Sequence, residues 1–342
     1  MANRLRVLEP GLLTTVQDLG REHYQQYGMP VSGAMDPFAL RMANILVGND
    51  QRQAGLEITS SGLVLSFTGQ AWLGLTGADL GARLRGQPLR PWQSFAVDNG
   101  DLLEFTAVTR GFRAYLSFAG GLKIPEVMGS RATYLRGGIG GYQGRRLLRG
   151  DCIEIVGSSS RPDPVIIPDS YLPPYSQKVE VRAVPGPQED YFSPAERKKF
   201  FSSSYQLRAD CDRMGYRLQG PEIKHLRGAD IISEGIPLGA VQVPGDGNPI
   251  IMLADRQTTG GYAKIATLIS VDIPLVAQLK PGDRISFKAL NVEEAAELLT
   301  EYEGVLDEME SLVGKRQRPA SSKFFLVRVN SSCYQVSLEE MD

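Results

Sequence analysis

The stretch LADRQTTGGYAKIA, residues 253–266, closes the apolar run PIIML and packs an acid, an arginine, a glutamine, two threonines, paired glycines and a lysine together. A glycine-rich turn after a strand often holds phosphate, but a Walker loop requires GxxxxGK[ST]. Here Gly260 and Gly261 run into Tyr262, Ala263 and Lys264, and no other segment supplies the spacing. What remains is a strand end presenting Asp255, Arg256, Gln257, Thr258 and Thr259, then two glycines that let a ligand or a second backbone come close. Arg256 and Lys264 beside amide and hydroxyl donors suit a carboxylate or a developing oxyanion. Lys264 lies two strand positions beyond Tyr262, which predicts one shared face. A solvated hairpin is the plain alternative, yet it does not require so varied a run of polar groups.

Neighbouring segments supply further candidates. In VQVPGDGNPII (241–251), Gln242 and Asp246 would flank the same site if the two strands pair, although Pro-Gly-Asp-Gly is equally a tight turn and nothing more. In DRMGYRLQG, Arg213 and Arg217 are four apart and, on a strand, would share a face. A structural salt bridge is the simpler role for them. ISEGIPLG offers Glu234 as an acid or base. Asp36 reads as a helix cap, Ser32 lacks a GxSxG elbow, and His23 and His225 have no partner pattern. The glycine-rich GGIGGYQG runs into a charged turn, which fits approach by another chain or an anion better than a dinucleotide fingerprint.

Positioning these residues falls to many short strands. LVLSFTG, AWLGLTG, RAYLSFAGG, KVEVRAVPG and AVQVPG each end in turn residues. A Gly-Asp turn recurs before a strand in NGDLLEF, RGDCIEIV and PGDRISF, so the same turn-strand unit occurs in both halves. This favours a mainly β fold of tandem barrels. Helices are few: MDPFALRMANILVGN capped by Asp36, SPAERKKFF with Ser193 and Glu196 as a capping box, and a long one from Asn291 to about Gly314. The apolar stripe of the long helix predicts either a coiled-coil seam or a helix laid across a barrel. The proline-rich stretch beginning at Ser158 predicts a linker. The expected organisation is therefore a β domain over 1–157, a linker over 158–178, a second β domain over 179–290, the helix over 291–314 and a tail with a hairpin over 315–342.

With 37 basic against 39 acidic residues, the chain lacks the basic excess of a nucleic-acid binder, and no apolar run approaches a membrane span. Three scattered cysteines, no signal-peptide core and only two histidines predict a cytoplasmic protein without a histidine-rich metal site.

The blocks GLLTTVQDLGR, GMPVSGAMDPFALRMANILVGN, YLRGGIGGYQGRRLLRGD, DRMGYRLQGP, ISEGIPLGAVQVPGDGNPIIMLADRQTTGGYAKIA and LVAQLKPGDRISF together resemble one family. It is that of the KipA-like proteins, also called allophanate hydrolase subunit 2 or the C subunit of 5-oxoprolinase. The resemblance implies tandem cyclophilin-like β-barrels, and two partner chains, the KipI-like B subunit plus the LamB/YcsF-like A subunit. It also implies opening of 5-oxoproline to glutamate at the expense of ATP in the assembled complex. The substrate would be a small anion. Two other readings stand beside it: a regulator that sequesters a KipI-like inhibitor of a sensor histidine kinase, and a carboxyltransferase half resembling that of urea carboxylase. The sequence contains no Met-Lys-Met attachment site, so no covalent biotin is expected on this chain. GREHYQQYG departs from the family by being more polar and aromatic. For the enzyme reading, Lys264, Arg256, Glu234 and Asp255 are the expected catalytic groups. Gln242, Gln257, Thr258, Thr259, Gly260, Gly261, Tyr262, Arg213, Arg217 and Asp246 are expected to bind substrate.

Overall fold

The computed structural model describes residues 3–157, 163–317, 323–329 and 332–338, with side chains through Gly314. The expected mainly β architecture is what is found. In the first half, β1 (Arg4–Pro10), β2 (Leu13–Gln17), β3 (Gly55–Thr59), β4 (Leu63–Thr68), β5 (Ala71–Asp79) and β6 (Ala82–Leu84) are followed by β7 (Gln87–Pro88), β8 (Gln93–Val97), β9 (Leu102–Phe105), β10 (Arg110–Phe118) and β11 (Cys152–Glu154). They form a six-stranded sheet, β11-β1-β4-β9-β6-β7, and a five-stranded sheet, β2-β3-β10-β5-β8. Alternation drives the packing: Leu5 and Val7 on β1, Leu65 on β4, Leu73 on β5 and Leu116 on β10 meet in one core between the sheets. The outer face of the five-stranded sheet receives α1 (Pro37–Leu46), whose Phe38, Met42 and Leu46 pack with Tyr115 and Trp92.

The second half contains β12 (Lys178–Pro185), α2 (Pro194–Ser202), β13 (Ser204–Leu207), β14 (Gly215–Gln219), β15 (Asp230–Gly235), β16 (Ala240–Gln242), β17 (Ile250–Met252), β18 (Thr259–Tyr262), β19 (Lys264–Leu268), α3 (Ile273–Ala277) and β20 (Arg284–Ala289). Seven strands close into a barrel, β12-β19-β16-β17-β14-β13-β20, and the parallel pair β12–β20 seals it with Val179 opposite Ile285 and Val181 opposite Phe287. The remaining two, β15 and β18, stand apart as a ribbon in which Glu234 faces Gly260.

The repeated Gly-Asp turn is one device used three times. Asp101 accepts the Asp98 amide at 2.7 Å, Asp151 the Leu148 amide at 2.7 Å, and Asp283 the Lys280 amide at 3.0 Å. The preceding glycines Gly100, Gly150 and Gly282 all take the positive φ that side chains disfavour. Each aspartate also holds a cation: Arg85, Arg145 and Lys280 respectively.

Helix α4 (Val292–Gln317) starts in a reciprocal capping box, Asn291 with Glu294, at 3.0 and 2.7 Å. Its stripe seats on α1 instead of forming a coiled-coil seam. Leu306, Met309 and Val313 are buried there, and Arg41 grips Glu303 bidentately at 2.7 and 2.6 Å. Val292 and Leu299, nearer its start, stay exposed. Residues 158–162 of the expected linker lie outside the described residues. The portion after them runs along the first half, with Val165 and Ile167 bonding Ser94 and Trp92 and the Tyr175 hydroxyl reaching Asp36 at 2.6 Å. Strands β21 (Lys323–Val329) and β22 (Ser332–Leu338) pair as an antiparallel hairpin. No helix among the described residues is long and apolar enough to cross a membrane.

The halves meet through a buried polar junction. Arg213, only 5% exposed, donates to Glu57 and to the Gly33 carbonyl of the first half, and to Asp255 of its own half at 3.0 Å. Arg113 crosses the other way, donating to the Tyr216 hydroxyl and the Ala277 carbonyl, both at 2.6 Å. Gln278 accepts the Phe112 and Arg113 amides and donates to Asp36 at 2.8 Å. Burial alone would push the Glu57 carboxyl up, but Arg213 and Arg113, with the Met35 amide and the Tyr115 hydroxyl, outweigh it and hold it below the ordinary range. Asp36 has no cation partner among the described residues, and burial pushes it up to about 6 despite bonds from Tyr175, Ala39 and Gln278.

Two outcomes are expected. Arg213→Met strands the Asp255 carboxylate and weakens the support of Glu57, and should cost about 3–5 kcal/mol of unfolding free energy in urea, whereas Arg217→Met should stay within about 0.5 kcal/mol. For Asp36, the folded pKa exceeds the unfolded one, so the unfolded chain loses the proton first. Stability from this group must then fall as pH rises from about 4 to about 6. The gap between wild type and Asp36→Asn should change by on the order of 3 kcal/mol across that window in pH-resolved denaturation.

Candidate functional site

The ribbon β15–β18 folds over one end of the barrel and collects part of the expected site. Lys264 begins β19 and is 1% exposed; its Nζ donates to Glu234 Oε1 at 2.5 Å. Gln188, from the turn after β12, completes the unit: its Nε2 donates to the same Glu234 oxygen at 2.6 Å, and its Oε1 accepts the Lys264 amide at 3.2 Å. Bonds from Lys264 and Gln188 hold the Glu234 carboxyl below its ordinary range. It is therefore ionised at neutral pH, able to accept a proton or steady the ammonium but not to act as a general acid. Gln242 pairs across the sheet with Lys264, is 2% exposed, and has no hydrogen-bond partner for its Nε2 among the described residues.

Gly260 explains how these groups come together. A Cβ there would lie 2.5 Å from Ile236 Cδ1, 2.9 Å from Gln242 Nε2 and 3.1 Å from Gln257 Nε2. Two glutamine amides thus converge on a spot that only a residue without a side chain leaves open.

Arg256 lies beside this cluster in a pocket of about 240 Å³ formed with Gln257, Thr258, Ile236 and, from the first half, Gln25 and Val31. Its guanidinium donates to the Ile236 carbonyl at 2.9 Å and the Leu253 carbonyl at 3.3 Å, and it forms no ion pair with a described residue. Burial, with no opposing charge, pushes it down to about 10, so it remains a cation at neutral pH. A half-buried cation short of a counter-charge, beside two amides and a threonine, is built to accept an anion.

Other expected residues fall elsewhere. Asp255 and Arg213 neutralise one another in the junction, so neither is free for acid–base work or for a substrate carboxylate. Arg217 does not share a face with Arg213: the earlier arginine precedes β14, while Arg217 points outward toward Asp210. Asp246 accepts the Asn248 amide at 3.1 Å and caps its own turn. Tyr262 and Lys264 also part company, because β18 ends at Tyr262 and the chain then passes into the barrel, leaving the tyrosine 39% exposed and the lysine buried. Thr259 is exposed opposite Gly235, and Gly261 has room around it for a side chain. In GGIGGYQG the close approach is made by this chain itself, with the Ala132 carbonyl against Gly140 and the Thr133 hydroxyl against Gly141. Gln188 and Ile236 went unnoticed in sequence, since a glutamine in a PGPQ turn carries no chemical signature.

The carboxyltransferase domain, subdomain A and B, matches this chain over residues 27–289. The chain belongs to this carboxyltransferase-domain family. It is 40% identical to the C subunit of 5-oxoprolinase from Escherichia coli (strain K12) over 295 residues, covering 85% of this chain and 93% of that protein. With the corresponding C subunit from Haemophilus influenzae it shares 33% identity over 310 residues, 91% of this chain and 99% of the relative. The crystal structure of the K. lactis urea amidolyase superposes with a TM-score of 0.84 at 33% identity over 90% of this chain, which spans only 20% of that larger protein. The resemblance drawn from the motifs is thereby borne out.

The paired glycines of this carboxyltransferase-family chain can be told apart. Gly260→Ala should push Gln242 and Ile236 aside and cost about 1 kcal/mol or more. Gly261→Ala, whose nearest contacts would be 3.4 and 3.5 Å away, should be neutral within about 0.5 kcal/mol. Urea unfolding of the two variants side by side decides it.

Proposed function

We propose that the chain is the C subunit of a multi-subunit 5-oxoprolinase. Its partners in this reading are the KipI-like B subunit plus the LamB/YcsF-like A subunit, and together they hydrolyse 5-oxoproline to glutamate with ATP. The observation that carries this reading is the 40% identity along 93% of a protein named as the C subunit of 5-oxoprolinase, joined to an anion-ready cluster in the same chain. A five-membered lactam resists water, and activation by ATP would supply a better electrophile at the ring carbonyl. In this reading Arg256 holds a substrate carboxylate or the activated oxygen, while Gln257 and Gln242 orient the ring through their amides. Lys264 offers its remaining N–H donors to charge that develops on oxygen, and Glu234 keeps the ammonium aimed. The nucleotide is assigned to the assembled complex, since no segment of this chain carries a Walker loop.

Support for a covering partner comes from the ribbon. Ile232 is 94% exposed on β15, close in sequence to Glu234, and Tyr262 is exposed on β18. Apolar side chains held out in this way beside a polar cluster mark a surface that another polypeptide would seal, excluding water from the reaction. A second reading, carboxyl transfer, is favoured by the fold match to urea amidolyase and would need a separate biotin carrier.

Co-expression of the three chains followed by measurement of glutamate release tests the proposal. Turnover should require ATP. Lys264→Ala and Arg256→Ala should each lower kcat/KM about 10²-fold or more. Intact turnover in both variants refutes the site. Tight association with KipI-like protein but no glutamate under any condition refutes the enzyme and favours the regulator.

A further inference from the structure

A second concavity, much larger than the pocket at Arg256, opens between the two halves on the far side of Asp255. It encloses about 830 Å³, within the range that small organic ligands occupy. Its floor is the junction itself, where Arg113, Arg213 and Asp255 come to the surface of the cleft. Apolar walls rise on both sides: Leu12, Phe112 and Leu135 from the first half, Met214 and Pro281 from the second. Two exposed arginines, Arg136 and Arg146, stand among the lining residues, and neither forms an ion pair with a described residue.

Charge and chemistry agree about what fits. The lining carries four arginines against two aspartates. Both acids are already engaged: Asp255 with Arg213, and Asp212 with the amides of Met214 and Gly215. Arg136 donates to the Met214 sulfur at 3.0 Å, a weak acceptor that a carboxylate or phosphate oxygen would readily displace. At the floor, the buried Thr59 hydroxyl has no hydrogen-bond partner among the described residues. Unspent donors at the lining and apolar walls between them describe a site for a molecule with an anionic head and an apolar body.

We propose that this cleft binds an organic anion, a carboxylate or phosphate carried on an apolar ring or chain, with Arg136 and Arg146 taking the head and the walls of both halves taking the body. Because such a ligand touches both halves, it tightens the junction. The site is separate from the Arg256 pocket and independent of the 5-oxoprolinase reading.

The probe is 8-anilinonaphthalene-1-sulfonate, an aromatic anion whose fluorescence rises in apolar surroundings, titrated into the full chain. Saturable one-site binding with a rise in Tm is expected. The double variant Arg136→Ala/Arg146→Ala changes exposed residues only, so it should fold normally and bind the probe at least tenfold more weakly. Arg256→Ala should bind it unchanged. Displacement by phenyl phosphate identifies a phosphate head and displacement by octanoate a carboxylate head, and either supports the site. Non-saturable binding, an affinity indifferent to the arginine pair, or no displacement by either competitor overturns it.

Discussion

Two acids and two arginines shut away from water at the join of the halves set the geometry of everything else. A charge inside a protein is tolerated only when paired and bonded, because its desolvation costs several kcal/mol that nothing but close partners can offset. Here the partners come from different halves: Glu57 on β3 and Arg113 on β10 from one, Arg213 and Asp255 from the other. The β units therefore cannot shift against each other without exposing or stranding a charge. Apolar packing alone would permit many orientations, and directional bonds select one. This same join anchors the functional loop at its first residue. Asp255 is fixed through its side chain to Arg213 and through its amide to the Arg213 carbonyl at 2.8 Å, so Arg256 to Gly260 emerge from a rigid root.

The sequence carried the architecture well where local chemistry decides. Gly-Asp turns need a positive φ and an acceptor, and those two residues announce it wherever they stand. Caps at Asp36, Ser193 and Asn291 announced their helices for the same reason. It carried the site unevenly. Glu234 bonds Lys264, Gln242 and Gln257 converge at Gly260, and Arg256 lines a pocket with Gln257, yet Arg213, Asp255, Arg217, Asp246 and Tyr262 lie elsewhere. The missing information is long-range. Nothing near Arg213 in sequence says that Glu57, 156 positions earlier, waits opposite it. One clue was available: GLEITS places a glutamate between Leu56 and Ile58 in a strand pattern, and a charge flanked by apolar residues asks for a partner. Strand parity failed between Tyr262 and Lys264 because the chain leaves one sheet and enters another between them, which alternation along a single strand cannot foresee.

The two cations of the candidate site are treated in opposite ways, and the contrast assigns their work. Lys264 is buried but matched by Glu234, with Gln188 steadying the carboxylate, so its charge is fixed in place before any ligand arrives. Among the described residues Arg256 is bonded only to carbonyls, and burial without an opposing charge disfavours its proton. A group in that condition gains most when an anion binds, since the ligand supplies the missing compensation. Lys264 supplies preorganisation and Arg256 supplies affinity. A site needs both, because donors already aimed require no rearrangement as charge develops, while an unmatched cation draws the substrate in.

Asp255 and Arg256 are adjacent in the chain but line different concavities, the cleft between the halves and the pocket beside the ribbon. The Asp255 side chain belongs to the junction and its backbone leads directly into the loop that carries Arg256. A ligand bearing on the Arg213–Asp255 pair thus presses on the root of that loop through a single peptide link. Free energy exchanged along such a link is reciprocal: whatever an occupant of the cleft does to anion affinity at Arg256, an anion at Arg256 does equally to the cleft. The size of that exchange depends on how far Asp255 can move, and two ion-pairing contacts with Arg213 leave it little room.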